Sequence, residues 1–258
     1  MKRVLTAAWL IPFGIYSIFY ANERLFVAIV AMLALFCYRE LARMIEGHGF
    51  EAWPWTGVVL GLGLLVAPEP GWTVLPLLPV VGLGLGLRAA DFKIGFASAG
   101  AFTLGILYVF GAWRCGIGLH GISAHWLFFG AALNWAGDVA AYYTGRSLGR
   151  RKLAPAISPG KTVEGAIGGV CASVLFGCLY LPRVLPEVSL GEAAGLALAG
   201  SVAGQIGDLC ESALKRGAGL KDSGAMLAGH GGWLDRLDSS LFSMPVVYWA
   251  LMTLRHWS

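Results

Sequence analysis

Charged side chains are scarce in this sequence: they form 13% of its 258 residues, whereas soluble domains contain about 25%. Hydrophobic residues account for 57%. This composition excludes an ordinary water-soluble domain. Cysteine patterns typical of metal or redox sites are also missing, because the five cysteines include no C-x-x-C pair. We interpret the cysteines as small packing residues.

Apolar runs recur along the whole chain, and each approaches the length of about 20 residues that an α-helix needs to cross a membrane. The sequence therefore predicts an all-α, polytopic membrane protein with about nine transmembrane helices in a single domain, 1–258. No cleavage site follows the first run, so we expect a retained helix there. The predicted helices are 4–22, 25–45, 56–68, 72–88, 94–112, 124–145, 162–182, 190–213 and 239–255.

The basic residues favour this odd number of crossings. With Met1 in the cytosol, only Arg24, Arg114, Arg183 and Arg255 of the 19 Lys and Arg residues fall on the far side of the membrane. The net charge of +4 does not indicate a nucleic-acid partner, because no aromatic-basic recognition module accompanies it. Attraction to the anionic headgroups of membrane lipids explains the excess of basic over acidic residues better.

The two halves of the chain differ in chemistry. Residues 1–125 are apolar and are predicted to be mainly scaffold helices. Residues 126–258 carry the polar groups and are predicted to be the catalytic half, with cytosolic loops 146–161 and 214–238. Small residues at four-residue spacing also predict close helix packing. These pairs are Gly165 with Gly169, Gly191 with Gly195, and Gly200 with Gly204.

Four polar residues share one face at the end of the eighth predicted helix. Asp208, Glu211, Ser212 and Lys215 stand at positions i, i+3, i+4 and i+7. A carboxylate near hydrocarbon is costly and usually has a partner and a purpose. The alternative to a functional site is an ordinary ion pair of Lys215 with Asp208 or Glu211.

The segment that follows contains the parts of a phosphate and metal site. Glycines between Gly229 and Gly232 can present N–H groups to phosphate oxygens, and Lys221 and Arg236 can neutralise them. Paired aspartates such as Asp235 and Asp238 can bind a divalent ion, and the set is typical of phosphoryl-type transfer. His230 is a candidate phosphate contact, a candidate acid or base, or a turn residue.

Further polar residues surround the sixth and seventh predicted helices. Asp138 lies on one helical stripe with Asn134 and Tyr142, and an ionisable group inside a membrane span indicates function. Ser158 before Pro159 is predicted to cap the seventh helix, and a helix N-terminus beside Lys161 attracts anions.

These motifs resemble the phosphatidate cytidylyltransferase family, also called CDP-diglyceride synthases. Three segments further upstream, which begin at Asp138, Pro155 and Gly207, also resemble the family. Ala228 stands where the family usually has proline. The resemblance covers about residues 134–238. The residues that match the family's C-terminal signature are Ser212, Lys215, Arg216, Lys221, Asp222, Gly224, Leu227, His230, Gly231, Gly232, Asp235, Arg236 and Asp238.

The resemblance implies a homodimer in the bacterial inner membrane that uses CTP and phosphatidic acid. It implies Mg²⁺ and leaves a second cation open, with Asp208 and Asp235 as metal ligands and Asp138 and Asp238 as further candidates. The implied catalytic residues are Asp208, Lys215, Asp235 and Asp238. The implied substrate-binding residues are Asp138, Arg146, Ser158, Lys161, Thr162, Glu164, Ser212, Arg216, Lys221, Asp222, His230, Gly231, Gly232 and Arg236.

Two other functions remain open from the sequence. A transporter or channel would explain Asp138 and the broken helices, but it gives no reason for the charged cluster after Lys215. A CTP-dependent lipid kinase, or a cytidylyltransferase for another anionic lipid, would use the same phosphate chemistry.

Overall fold

A computed structural model describes residues 2–67, 74–227, 229 and 231–257, with side chains over the same residues except 2–8, 10 and 255–257. The described chain is mainly helical, as predicted. Its helices are α1 (Lys2–Phe19), α2 (Glu23–Gly47), α3 (Pro54–Val66), α4 (Leu77–Gly86), α5 (Phe92–Ile106), α6 (Ala112–Ile122), α7 (Ala124–Leu148), α8 (Val163–Val184), α9 (Leu190–Gly217) and α10 (Leu234–Trp257). A hairpin of β1 (Lys152–Ala154) and β2 (Ser158–Thr162) connects α7 to α8.

The helices are those of a multi-pass membrane protein. Among the described residues, five helical segments are long and apolar enough to cross a bilayer, and α3 and α4 are shorter apolar helices. The five segments are Glu23–Gly47, Phe92–Ile122, Val163–Val184, Leu190–Gly217 and Leu234–Leu254. The topology of nine crossings stays a prediction.

Several predicted boundaries are wrong. The helix predicted to end at residue 112 continues to Ile122, because a π-helical turn at Leu107–Gly111 joins α5 to α6 without a break. The loop predicted at 214–238 is shorter, since α9 extends to Gly217 and α10 begins at Leu234. Asp235, Arg236 and Asp238 therefore lie in the first turns of α10.

The predicted capping of α8 by Ser158 is also wrong. Residues 158–162 form strand β2, and Thr162 is the N-cap, where its hydroxyl accepts a hydrogen bond from Gly165 N at 3.1 Å. The predicted loop 146–161 is correspondingly reduced, because α7 extends to Leu148 and most of the remainder is the hairpin.

The chain divides into two compact units. The first unit comprises residues 1–114 and 214–237, and the second comprises residues 115–213 and 238–258. In the first unit, the fully buried ring of Tyr38 on α2 packs against Phe110 at a centroid distance of 5.3 Å. A side chain on Gly57 would overlap the Tyr38 ring, so glycine permits this packing of α3 against α2.

Glycine also brings α7 and α8 together in the second unit. A Cβ on Gly165 would meet the Ala141 carbonyl, and one on Gly169 would stand 3.0 Å from the Gly137 carbonyl. The predicted packing role is confirmed for this pair. For Gly191 and Gly195 the packing role stays a prediction, because an added Cβ would meet nothing within 4 Å among the described residues.

Candidate functional site

A cavity of about 420 Å³ lies within the second unit, a volume suited to a small ligand or headgroup. Helices α7, α8 and α9, the hairpin and Ser239 of α10 supply its lining. The predicted stripe of Asn134, Asp138 and Tyr142 lies along one side of it. The predicted site residues that line this cavity are Asp138, Arg146, Lys161, Thr162 and Asp208.

An acid–lysine pair joins the hairpin to α9 at this cavity. Lys161 on β2 forms a salt bridge with Asp208, and both side chains are about 30% exposed. Ser212, one turn further along α9, donates to Asp208 Oδ1 at 3.5 Å. The pair can therefore meet a ligand from solvent while each charge keeps its partner.

Glu164 and Ser158 support the hairpin. The Glu164 carboxylate accepts hydrogen bonds from Arg150 N at 3.0 Å and from Arg151 N at 3.2 Å, which anchors the start of the hairpin to the first turn of α8. Ser158 begins β2, where it pairs with Ala154. These contacts hold Lys161 in place.

Small polar side chains of the cavity lining are held by hydrogen bonds. Ser201 donates to Ser173 Oγ at 3.0 Å, and Ser173 in turn donates to the Leu133 carbonyl at 2.8 Å. Asn134 donates to Ser243 Oγ at 2.8 Å. Asp238, which is 8% exposed, accepts from Ser239 N at 2.8 Å. The catalytic role predicted for Asp238 stays a prediction.

A second cluster belongs to the first unit and centres on Asp235. Lys215 Nζ contacts Asp235 Oδ1 at 2.5 Å, and the two side chains are only 12% and 7% exposed. The other carboxylate oxygen accepts from Ser223 N at 2.9 Å and from Gly232 N at 2.8 Å. Three donors thus fix the orientation of this carboxylate.

Sequence reasoning missed one member of this cluster, Glu40 on α2. Its side chain is 1% exposed and accepts hydrogen bonds from Ser223 Oγ at 2.8 Å, Trp233 N at 3.1 Å and Leu234 N at 2.9 Å. The available signal was an acidic residue between Arg39 and Arg43 near the end of α2. Its partners, however, lie more than 180 positions later in the chain.

A pocket of about 520 Å³ lies beside this cluster and is lined by Asp222, Gly231 and Arg236, among others. Gly229 and Gly231 have φ angles of 78°, a left-handed conformation that glycine adopts without strain. Lys221 is exposed, and Arg216 donates to the Leu220 carbonyl at 3.2 Å in the same loop. His230 lies outside the described residues.

The carboxylates of both clusters suit a magnesium ion chemically. Mg²⁺ takes oxygen ligands, and one or two carboxylates suffice where substrate phosphates and waters complete the set. In the part of the chain that the structure describes, no three or more His, Cys, Asp and Glu side chains group as a metal site. Asp208 and Asp235 each contact an ammonium group, so both already lie where a cation is stabilised.

Comparisons with known proteins agree with these features. The family model described as the cytidylyltransferase family matches residues 1–254. The chain is 40% identical over 159 residues to the phosphatidate cytidylyltransferase of Bacillus subtilis, an alignment that covers 62% of this chain and 58% of that protein. It is 32% identical over 229 residues to the phosphatidate cytidylyltransferase of Staphylococcus aureus, covering 84% and 85% of the two chains. It is also 35% identical over 237 residues to the uncharacterized protein YnbB of Escherichia coli, covering 87% and 77%.

Proposed function

The chain belongs to the cytidylyltransferase family, and we propose that it is a phosphatidate cytidylyltransferase. It would transfer CMP from CTP to phosphatidic acid and release pyrophosphate, leaving CDP-diacylglycerol in the membrane. The names of the Bacillus and Staphylococcus relatives support this assignment. The membrane-type helices agree with it, because both the lipid substrate and the lipid product remain in the bilayer.

The observation that carries the proposal is the presence of two acid–lysine pairs, each beside a pocket. Lys161 pairs with Asp208 at the cavity of the second unit, and Lys215 pairs with Asp235 in the first unit. A reaction between two phosphate-bearing substrates needs fixed cations to offset their mutual repulsion. The carboxylates hold these lysines in place before a substrate arrives.

The reaction requires no covalent intermediate on the protein. An oxygen of the lipid phosphate attacks the α-phosphorus of CTP and forms the new P–O bond. The bond from that phosphorus to the oxygen bridging the β-phosphate breaks, and the electron pair leaves with pyrophosphate. The contribution of the protein is to align the two phosphates and stabilise the charge that moves to the leaving group.

We assign the cations by the pocket they line. Arg146 and Lys161 line the cavity of the second unit and are proposed to bind substrate phosphate there. Arg236 lines the pocket of the first unit, and with Lys215, Arg216 and Lys221 it is proposed to neutralise further phosphate oxygens. The N–H groups of the turn around Gly231 would add donors that carry no side-chain bulk.

Magnesium is proposed as the cofactor, and Asp208 in the second unit and Asp235 in the first unit are each proposed as a candidate ligand. When bound, it would reduce the negative charge on the phosphates. The oxygen-only character of these side chains supports this choice. We also propose a homodimer in the bacterial inner membrane, with Met1 and the reacting groups on the cytosolic side, as the distribution of Lys and Arg predicts.

Labelled nucleotide tests the proposal directly. Purified protein is given phosphatidic acid, Mg²⁺ and CTP labelled in either the α- or the γ-phosphate. Cytidylyl transfer labels the lipid only from the α position, whereas a lipid kinase labels it only from the γ position. Parallel reactions with ATP, GTP and UTP test the base preference. Absence of labelled lipid from α-labelled CTP would refute the proposed activity.

A further inference from the structure

The buried carboxylate of Glu40 lies at the N-terminus of α10. The N–H groups at the start of a helix have no partner within the helix, and this end carries a partial positive charge. Glu40 Oε1 accepts from Trp233 N, and Oε2 accepts from Leu234 N, the first residue of α10. A residue of α2 thus caps a helix that begins 194 positions later.

The same carboxylate also fixes the loop that precedes α10. Ser223 Oγ donates to Glu40 Oε2 at 2.8 Å and accepts from Asp235 N at 3.3 Å. The backbone N–H of Ser223 donates to Asp235 Oδ2. Ser223 is therefore bonded both to Glu40 and to the backbone and carboxylate of Asp235.

Packing around Glu40 restricts the loop to this arrangement. A Cβ on Gly232 would overlap both the Glu40 carboxylate and Ser223 Oγ, and one on Gly224 would also overlap Glu40. One helical turn earlier on α2, the Phe36 ring stacks on Trp233 with centroids 5.8 Å apart and planes inclined by 18°. Shape and hydrogen bonding therefore select one position for the start of α10.

We propose that Glu40 is a positioning residue for the cytidylyl-transfer reaction: through Ser223 and the first N–H groups of α10, it sets the orientation of Asp235. This inference rests on the proposed function of the chain. It assigns a role in the reaction to a residue of α2 that does not itself contact a substrate phosphate. Misplacing a reacting constellation by about 1 Å can cost about 10²-fold in rate. The carboxylate of Glu40 matters because it has two oxygens that accept and none that donates.

The variant Glu40→Gln preserves size but removes one acceptor. The amide nitrogen must face either Trp233 N or the pair of Ser223 Oγ and Leu234 N, so at least one donor loses its partner. We expect kcat with saturating CTP and phosphatidic acid to fall about 10²-fold. The control is Ser98→Ala in the same unit, where the buried hydroxyl accepts from Glu51 N at 2.9 Å. This control loses a buried hydrogen bond of similar length and should turn over at the wild-type rate.

A double-mutant cycle separates positioning from general destabilisation. Ser223→Ala should also slow turnover, and the Glu40→Gln, Ser223→Ala double variant should be no slower than the slower single variant, because both act through one link to Asp235. Losses that multiply in the double variant, or a Glu40→Gln enzyme with wild-type kcat, would overturn the inference. If Glu40→Gln does not fold, Ser223→Ala alone carries the test: wild-type kcat in that variant would reject the link.

Hydrogen exchange supplies a readout that does not depend on activity. Amides of residues 221–235 should exchange faster in Glu40→Gln than in wild type, and Ser98→Ala should leave them unchanged. Unchanged exchange in Glu40→Gln would refute the docking role even if turnover fell. A wild-type protein that makes no CDP-diacylglycerol would refute the proposed function instead, while the exchange result would still decide whether Glu40 holds the loop.

Discussion

Replacing the lysine of each acid–lysine pair should produce very different losses of stability. Lys215 and Asp235 are 12% and 7% exposed, whereas Lys161 and Asp208 are 30% and 29% exposed. Removing one partner of a buried pair costs about 3–5 kcal/mol because the other charge remains buried. An exposed pair contributes about 1 kcal/mol or less. Asp235 keeps two N–H donors, so we expect Lys215→Met to cost about 3 kcal/mol and Lys161→Met about 1 kcal/mol.

Both variants should lose cytidylyl transfer, because each removes a cation proposed to bind phosphate. The free energy of unfolding is measured in mixed detergent, with turnover measured under folding conditions on the same preparations. Combining Lys215→Met with Asp235→Asn should recover part of the lost stability and none of the activity, since the uncompensated charge is gone. Equal losses of stability for the two lysine variants would refute the reasoning from burial.

Four further outcomes follow from the structure. Asp208→Asn should remain folded in the membrane and transfer no label from α-labelled CTP, and near-normal transfer would count against Asp208 as a metal ligand. Gly232→Ala should lower both stability and turnover because its Cβ would overlap Glu40, whereas Gly100→Ala, with nothing within 4 Å, should lower neither. Removal of divalent ions by a chelator should abolish transfer, and added Mg²⁺ should restore it; activity that persists after dialysis against chelator would contradict the metal assignment. Thr162→Val removes the N-cap of α8 and should cost about 1 kcal/mol in unfolding free energy, with no loss measured if the cap is not formed in solution.

Helix locations were predictable because the dominant signal is local. A run of apolar residues long enough to span hydrocarbon can be read from a window of the sequence, and each predicted helix has a counterpart in the structure. Helix ends were less predictable. Thr162 rather than Ser158 caps α8, because pairing of β1 with β2 extends the chain through residue 162. Pairing of this kind depends on two segments, and neither alone encodes it.

The candidate site was predictable where many charged and polar residues lie close together in the sequence. Lys215 and Asp235 were both selected from motifs, although their mutual contact was not. Glu40 was missed because one acidic residue among the charged residues near the end of α2 carries no motif, and its role depends on partners in the loop before α10 and at its start. The glycines that surround it were read as phosphate-binding elements, yet Gly232 also provides room for the Glu40 carboxylate.

The scarcity of charge makes each buried acid in this chain informative. A carboxylate withdrawn from water is costly unless donors replace its hydration, and each such donor constrains the chain that supplies it. Asp235 has a lysine and two backbone N–H groups as partners, and Glu40 has a hydroxyl and two backbone N–H groups. Both acids hold the same short segment of chain around the start of α10. An apolar contact could hold this segment at lower cost, so two buried acids at one helix start are better explained by a need to fix charge in space than by stability alone.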